Sequence, residues 1–125
     1  MKNKIFTTIQ IITGLLLLIF GLNVFFQFLP MPQASEQMQA YSYALFSTGF
    51  IFPIIATIEI IAGIAFILNK FTSFMAILIM PIMLNALLAH LFLDPSGIGA
   101  SLFITLAIIV VMIRNKDRYA SLLKM

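Results

Sequence analysis

Four long runs of apolar residues constrain the fold of this chain more than any other feature of its sequence. They are Ile5–Leu29, Phe50–Leu68, Thr72–Leu93 and Gly97–Ile113. Each run is close to the roughly 20 residues that a helix needs to cross a hydrocarbon core about 30 Å thick. Lipid offers the backbone no hydrogen-bond partners, so a single run of this length satisfies its own polar groups as a helix. We therefore predict an all-α fold, a four-transmembrane-helix bundle that forms a single integral membrane domain over residues 1–125.

The composition favours the same fold class. Hydrophobic residues make up 62% of the chain and charged residues 9%, and both values lie far from the averages of soluble domains. The alternation over about ten residues that marks a transmembrane β-strand is missing from all four runs. The chain has no cysteine, which excludes disulfide exchange, thiolate catalysis, iron–sulfur clusters and cysteine-based zinc sites.

The positions of the basic residues predict how the helices are oriented. If the four helices alternate in direction, every lysine and arginine falls on one side of the membrane. These residues are Lys2, Lys4, Lys70, Arg114, Lys116, Arg118 and Lys124. The loops on the other side carry Glu36 and Asp94 and no basic residue. The positive-inside rule then places both termini in the cytoplasm. Because this topology accounts for the net charge of +3, we expect the lipid bilayer as a partner and no nucleic acid.

A secretory signal peptide is the competing interpretation of the first apolar run. The basic start MKNK suits it, as signal peptides begin with positive charge. The run is longer than an ordinary signal-peptide core of about 7–15 residues, however, and the segment Pro30–Gln33 makes a poor cleavage site. We therefore expect the run to stay in the protein as its first helix.

Short connections predict which helices are neighbours. Asn69-Lys70 leaves only a tight turn between the second and third runs, which makes them an adjacent antiparallel pair. Asp94-Pro95-Ser96-Gly97 has the residue preferences of a type I turn, so the third and fourth runs are adjacent too. The only long connection, Pro30–Gly49, contains a segment with helical spacing of apolar residues, Glu36–Ser47. We predict that this segment is a short amphipathic helix at the outer membrane interface.

Glu59 is the only ionisable residue in the second apolar run, Phe50–Leu68. A charged carboxylate at the centre of a bilayer helix costs roughly 2.5–3.5 kcal/mol on insertion scales. Such a group is protonated, paired or turned toward a polar cavity, and each of these arrangements is a reason to examine it for function. The structural alternative is a protonated carboxyl that only joins helices by a hydrogen bond. We treat Glu59 as the first candidate for ligand binding.

Further polar side chains in or beside the spans are candidates for the same site. They are Asn23 and Gln27 in the first run, Thr48 before the second, and Asn85 and His90 in the third. If all of them face inward, the helical rise of ~1.5 Å per residue allows them to line one cleft that opens outward and ends at Glu59. The alternative is that they bond between helices, as polar residues in membrane helices often do, and that His90 only reaches the interface.

Several short motifs resemble the DoxX-like family. These are Gly21-Leu22-Asn23, Phe28-Leu29-Pro30-Met31-Pro32, Thr48-Gly49-Phe50, Glu59-Ile60-Ile61-Ala62-Gly63, and Pro81 followed by Asn85 and the segment His90–Gly97. Members of that family are small bacterial inner-membrane proteins of four helices. The resemblance covers nearly the whole chain, and it implies that the protein lies in the bacterial inner membrane as a multi-pass protein.

The resemblance also implies a redox-associated role. Members of the family include a subunit of a thiosulfate:quinone oxidoreductase, a partner in an oxidative-stress complex, and relatives near methylamine-utilisation accessory proteins. A quinone is the ligand that this implies, and a membrane or periplasmic redox protein is the partner. The family's glutamate in the second helix, and its asparagine and histidine in the third, match Glu59, Asn85 and His90.

Three classes of function stay open at this point. The chain is either a quinone- or lipophile-binding redox subunit, a non-enzymatic carrier or assembly factor, or a structural membrane subunit. As an enzyme it is at most one subunit of a membrane oxidoreductase. One histidine cannot supply bis-histidine haem ligation within a monomer. Ligation by His90 and a methionine stays open, but no spacing indicates it or any other metal site. Gly14 and Gly21 lie two turns apart and predict a close helix contact, either inside the bundle or between the subunits of a homo-oligomer.

Overall fold

The described structure of this chain is built from helices. It is a computed structural model that describes residues 2–28 and 34–123. The helices are α1 (Lys2–Phe26), α2 (Glu36–Ser47), α3 (Ile51–Leu68), α4 (Thr72–Leu93), α5 (Ile98–Arg114) and α6 (Lys116–Leu123), with a 3₁₀ turn at Pro95–Gly97 before α5. Within the described residues all regular elements are helical, as we predicted.

Four of these helical segments are long and apolar enough to cross a membrane. They are Lys4–Phe26, Ile51–Leu68, Thr72–Leu93 and Pro95–Arg114, which confirms the predicted four-transmembrane-helix bundle. The first span ends earlier than our prediction of Leu29, which itself lies outside the described residues. Helix α1 ends at Phe26 because Gln27 adopts a left-handed backbone conformation with φ of 50°, and a helix cannot continue through it.

Helix α2 covers the segment that the sequence predicted, Glu36–Ser47. The Ser35 hydroxyl caps it by accepting a hydrogen bond of 3.2 Å from the Met38 N–H, as an N-cap residue does. Helix α2 contacts both α3 and α4. Its place at the outer membrane interface stays a prediction.

Helices α1 and α3 pack against each other more extensively than any other pair. Their contact runs through Gly14 and Gly21 of α1 and Gly63 of α3. A Cβ added at Gly63 would lie 2.6 Å from the Gly14 carbonyl oxygen, so the two backbones touch with no room for a side chain. Small residues allow this close approach between membrane helices. The glycine contact predicted from the sequence is therefore made inside the bundle.

Helices α1, α3, α4 and α5 share one apolar core. Its largest fully buried side chains include Leu17, Phe66, Ile79, Ile104 and Ile108. The neighbours predicted from the short turns are confirmed, since α3 packs on α4 and α4 packs on α5. At the second of these turns the Gly97 N–H donates to the Asp94 carbonyl oxygen at 3.3 Å. The core fixes the four spans relative to one another and so fixes the polar groups they carry.

Helix α6 is an element that we did not predict. Its first turn contains Asp117, and the residue before it is Asn115, a favoured N-cap type whose carbonyl accepts the Arg118 N–H at 2.9 Å. The Tyr119 hydroxyl donates to the Ser73 carbonyl oxygen at 2.8 Å. This hydrogen bond holds α6 against the first turn of α4. The basic residues of α6, Lys116 and Arg118, therefore lie at that end of the bundle.

Candidate functional site

Glu59 lies near the middle of α3 and points toward the interior of the bundle. Three and four residues further along the helix come Ala62 and Gly63, which are both buried, and residues at this spacing share one face. The Cβ of Glu59 is 3.2 Å from the position that a Cβ would occupy at Gly21 of α1. The carboxyl group therefore lies beside the glycine contact between α1 and α3.

The Glu59 carboxyl has no hydrogen-bond partner among the described residues, although the residue is partly buried. Most other polar side chains in the spans are bonded internally. Thr13, for example, donates to the Ile9 carbonyl oxygen at 2.7 Å, and Thr57 donates to the Pro53 carbonyl oxygen at 2.7 Å. An unpaired polar group in the hydrocarbon core carries a free-energy cost. A bound molecule that supplies a hydrogen bond to Glu59 would remove this cost.

His90 lies in the last turn of α4, with its ring against Gly97. A Cβ at Gly97 would lie 3.1 Å from the Nδ1 atom of His90, so the glycine leaves the space that the imidazole occupies. The Nδ1 atom is buried and has no hydrogen-bond partner within the described part of the chain. His90 is therefore a second polar group with unused hydrogen-bonding capacity, at the end of the bundle where α4 turns into α5.

Asn85 is exposed and has a partner. Its side-chain nitrogen donates a hydrogen bond of 2.6 Å to the hydroxyl of Tyr41 on α2, which fastens α2 to α4. Asn85 and His90 are five residues apart, and the helical turn of about 100° per residue separates their directions by roughly 140°. The two side chains therefore face different sides of α4.

The remaining three candidates lie at the helix ends near α2 and α1. Thr48 is exposed. Its hydroxyl donates to the Leu45 carbonyl oxygen at 2.7 Å and accepts a hydrogen bond from the N–H of Ile51 at 3.3 Å. These two bonds stabilise the bend between α2 and α3. Gln27 is exposed just after α1, and its backbone N–H donates to the Asn23 carbonyl oxygen at 2.8 Å. Asn23 is half-buried in α1.

No hydrogen bond in the described structure joins the side chains of these six candidates to one another. The helical rise of ~1.5 Å per residue places Glu59 and His90 about 14 Å apart in depth, so one small polar headgroup does not reach both. Within the described residues no three His, Asp or Glu side chains form a group that could hold a metal ion. The ligand-binding role of all six residues stays a prediction, and Glu59 and His90 carry it best because their polar atoms are unpaired.

Asp94 organises a polar cluster that we did not predict from the sequence. Its Oδ2 accepts the backbone N–H of Ser35 at 3.0 Å, and its Oδ1 accepts the Ser96 hydroxyl at 2.6 Å. The Ser35 hydroxyl in turn donates to the Leu93 carbonyl oxygen at 2.6 Å. The hydrogen bond from Ser96, followed by that from Ser35, holds the pKa of Asp94 below its ordinary value. We call this group, which fixes the start of α2 to the end of α4, the Asp94 cluster.

A cavity of about 250 Å³ lies at the opposite end of the bundle. We call it the basic cavity; it is lined by Thr7, Gln10, Asn69, Arg114, Asn115 and Arg118. The Gln10 side chain donates to the Phe66 carbonyl oxygen and to the Asn69 Oδ1, both at 3.0 Å. These bonds hold α1 against the turn between α3 and α4. In the sequence the two arginines indicated only the topology, and nothing near them signalled a cavity.

The fold defines a multi-pass membrane protein with four membrane-spanning helices. Comparison with protein-family models matches residues 6–92 to the DoxX family, and the chain belongs to that family, as its motifs predicted. The matched segment contains Glu59, Asn85 and His90 and ends before the 3₁₀ turn that precedes α5. Comparisons with curated proteins and with solved structures find no match.

Proposed function

We propose that this protein binds a small lipophilic molecule, such as a quinone, inside the membrane and that Glu59 makes the polar contact. The observation that carries the proposal is the unpaired carboxyl of Glu59 in the middle of a membrane span, turned toward the bundle interior. A neutral carboxyl donates one hydrogen bond and also accepts, which suits the carbonyl oxygen of a quinone. Apolar side chains from the surrounding helices suit the rest of such a molecule.

The proposed cellular setting is the bacterial inner membrane, with both termini in the cytoplasm. Contacts at one end of the bundle support this orientation. Arg114 lies over the ring of Phe6, with 5.1 Å from its guanidinium carbon to the ring centre, and Gln10 bonds to Asn69. These contacts gather the basic residues near the start of α1, the α3–α4 turn and the end of α5 at one membrane face, the pattern that the positive-inside rule describes.

The proposed role is association with a membrane redox system, as the resemblance to other DoxX proteins implies. In this role the protein holds the lipophile for a partner oxidoreductase and is not itself the complete enzyme. The second candidate is a non-enzymatic carrier, assembly or structural subunit. The internal hydrogen bonds of Asn85 and Thr48 favour that candidate, because they give these two residues a structural use.

The test is mass spectrometry of small molecules extracted from gently purified protein. Glu59→Gln keeps the shape of the side chain and alters its proton donation, so we expect a stoichiometric lipophile in the wild type and a clear loss of it in the variant. Thr57→Val is the matched control, because it removes a polar group from the same helix at a position where the hydroxyl is already bonded to Pro53. We expect this control to keep the lipophile.

Equal lipophile content in Glu59→Gln and wild type, per folded molecule, would contradict the proposal. If the variant also lost thermal stability, Glu59 would be a structural residue and the search would turn to partner proteins. Loss of the lipophile from the Thr57→Val control as well would show that the assay reports general damage to α3.

A further inference from the structure

The basic cavity is separate from the proposed lipophile site at Glu59, and its lining residues take no part in that proposal. Neither Arg114 nor Arg118 forms an ion pair with any described residue. Of the four acidic residues of the chain only Asp117 lies at this end, and it is exposed and does not line the cavity. Two guanidinium groups therefore share one cavity of about 250 Å³ without a carboxylate among the residues that line it.

At Asn69 the hydrogen bonds leave the donor unused and the acceptor occupied. The side-chain oxygen of Asn69 already accepts from Gln10 at 3.0 Å and from the Thr72 hydroxyl at 3.2 Å. Its amide nitrogen makes no hydrogen bond in the described structure, and the same holds for the guanidinium groups of the two arginines. A cavity with positive charge and free donors is complementary to an anion with several acceptor oxygens, and Arg pairs with phosphate in a bidentate manner.

The depth of the cavity matches the level of phospholipid headgroups. Measured from Lys4, where the first span begins, the helical rise of ~1.5 Å per residue puts Thr7 about 4.5 Å and Gln10 about 9 Å into the span. Ile5 and Phe71 are 60% and 78% exposed at the same end, so apolar side chains are available for acyl chains. Basic pockets between membrane helices on the cytoplasmic side are known to bind anionic headgroups.

We infer that the basic cavity is a binding site for a phosphate group, with Arg114, Arg118 and Asn69 as its donors. The group is carried either by the headgroup of an anionic phospholipid or by a free phosphate. Arg114 is held in place for this role by its contact with the Phe6 ring. Arg118 is held there through α6, which the Tyr119 hydroxyl fastens to the carbonyl of Ser73. The two arginines lie outside the segment matched to the DoxX family, whereas Asn69 lies inside it.

The experiment measures ligand affinity of the delipidated full-length protein in a neutral detergent by native mass spectrometry. The probes are dimyristoylphosphatidylglycerol, dimyristoylphosphatidylcholine and inorganic phosphate, each added separately. We expect phosphatidylglycerol to bind with one high-affinity site and phosphatidylcholine to bind more weakly. In the Arg114→Gln/Arg118→Gln variant the affinity for phosphatidylglycerol should fall by about tenfold or more, since both charged contacts to the anionic headgroup are lost.

Lys70→Gln/Lys116→Gln is the matched control, because it removes the same charge from the same end at two exposed residues that do not line the cavity. It should change the affinity by much less than the arginine pair. Saturable binding of inorganic phosphate that the arginine variant abolishes would assign the site to free phosphate. The inference is overturned if no probe binds at this site, or if both double variants lose affinity equally, which would indicate a general charge effect.

Discussion

The two ends of the bundle differ in how their charged side chains are paired. At one end the Asp94 carboxylate accepts hydrogen bonds from Ser35 and Ser96, and it is buried. At the other end Arg114 and Arg118 line a cavity and form no ion pair within the described structure. At the first end the Asp94 carboxylate is satisfied by groups of the fold itself, whereas the second end has positive charge and hydrogen-bond donors without partners.

This difference separates structural polar groups from candidate binding groups. A charged side chain with partners inside the protein holds two elements of the fold together, and removing it weakens the contact between those elements. A buried polar group without partners, such as the Nδ1 atom of His90, carries a desolvation cost that a ligand can remove. The two arginines are exposed, and they are candidates because they offer charge and unused donors to an anion. By the same reasoning Asn85 and Thr48 belong with Asp94, while Glu59 and His90 belong with the arginines.

The largest effect is expected where the structure holds both ends together, at the glycine contact between α1 and α3. In Gly63→Val the new Cβ would lie 2.6 Å from the Gly14 carbonyl oxygen and 2.8 Å from the Leu18 nitrogen. Because backbone atoms cannot give way as flexible side chains do, we expect a loss of unfolding free energy at or above the upper end of the usual ~1–3 kcal/mol for overpacking.

Unfolding in mixed detergent, followed by circular dichroism, measures this loss. Gly99→Ala is the control, because a Cβ at Gly99 meets nothing within 4 Å; it should be neutral or slightly stabilising. A Gly63→Val variant as stable as wild type would show that α1 and α3 can separate without a loss of unfolding free energy. The glycine contact would then not hold the two ends of the bundle in a fixed arrangement.

A moderate effect is expected at the Asp94 cluster, and it depends on pH. The hydrogen bonds from Ser96 and Ser35 lower the pKa of Asp94 in the folded protein, so the unfolded state holds its proton more tightly. The stability that these bonds contribute is therefore fully present above the ordinary carboxyl pKa of about 3.9. It is lost as the pH falls below that value and through the lower folded pKa.

Hydrogen exchange of α2 between neutral pH and pH 3 checks this prediction. The wild type should lose protection in α2 as the pH falls through the acidic range. Asp94→Asn should show weaker protection at neutral pH, because its amide keeps only one of the two acceptor oxygens. It should show little further loss on acidification, because the amide does not titrate in this range. The same acid dependence in both proteins would assign it to another group.

The smallest effect is expected at Tyr119, beside the basic cavity. Tyr119→Phe removes the hydrogen bond of 2.8 Å to the Ser73 carbonyl oxygen, which we expect to cost about 0.5 kcal/mol because the group is only half-buried. Helix α6 should exchange faster while the four spans stay unchanged. Tyr43→Phe is the control, since Tyr43 is 72% exposed and its hydroxyl has no partner in the described residues. Equal exchange of α6 in both variants would argue against this anchor.

The fold was largely predictable from the sequence because each span is a local feature. Apolar runs of membrane length determine α1, α3, α4 and α5, and the serine before Glu36 marks the start of α2. Helix α6 was missed because it is polar and follows the last apolar run directly, although Asn115 and Asp117 are ordinary signals of a helix start.

The candidate site was less predictable because its contacts join distant residues. Glu59 was identified since it is the one ionisable residue in its span. The bonds of Ser35 to Asp94 and of Gln10 to Asn69 each join residues 59 positions apart, and nothing local indicates which partner each will find. The sequence also places Asn85 and His90 in one motif, whereas the helix turns them toward different sides.

The central claim is that the unpaired side chains of Glu59, Arg114 and Arg118 bind molecules and that the paired Asp94 holds the fold. One native mass-spectrometry series tests it, with bound lipophile and bound phospholipid recorded together for wild type, Glu59→Gln, Arg114→Gln/Arg118→Gln and Asp94→Asn. We predict that Glu59→Gln loses only the lipophile, that the arginine variant loses only the phospholipid, and that Asp94→Asn keeps both per folded molecule. The account is contradicted if the Glu59 and arginine variants keep both molecules, or if Asp94→Asn loses them.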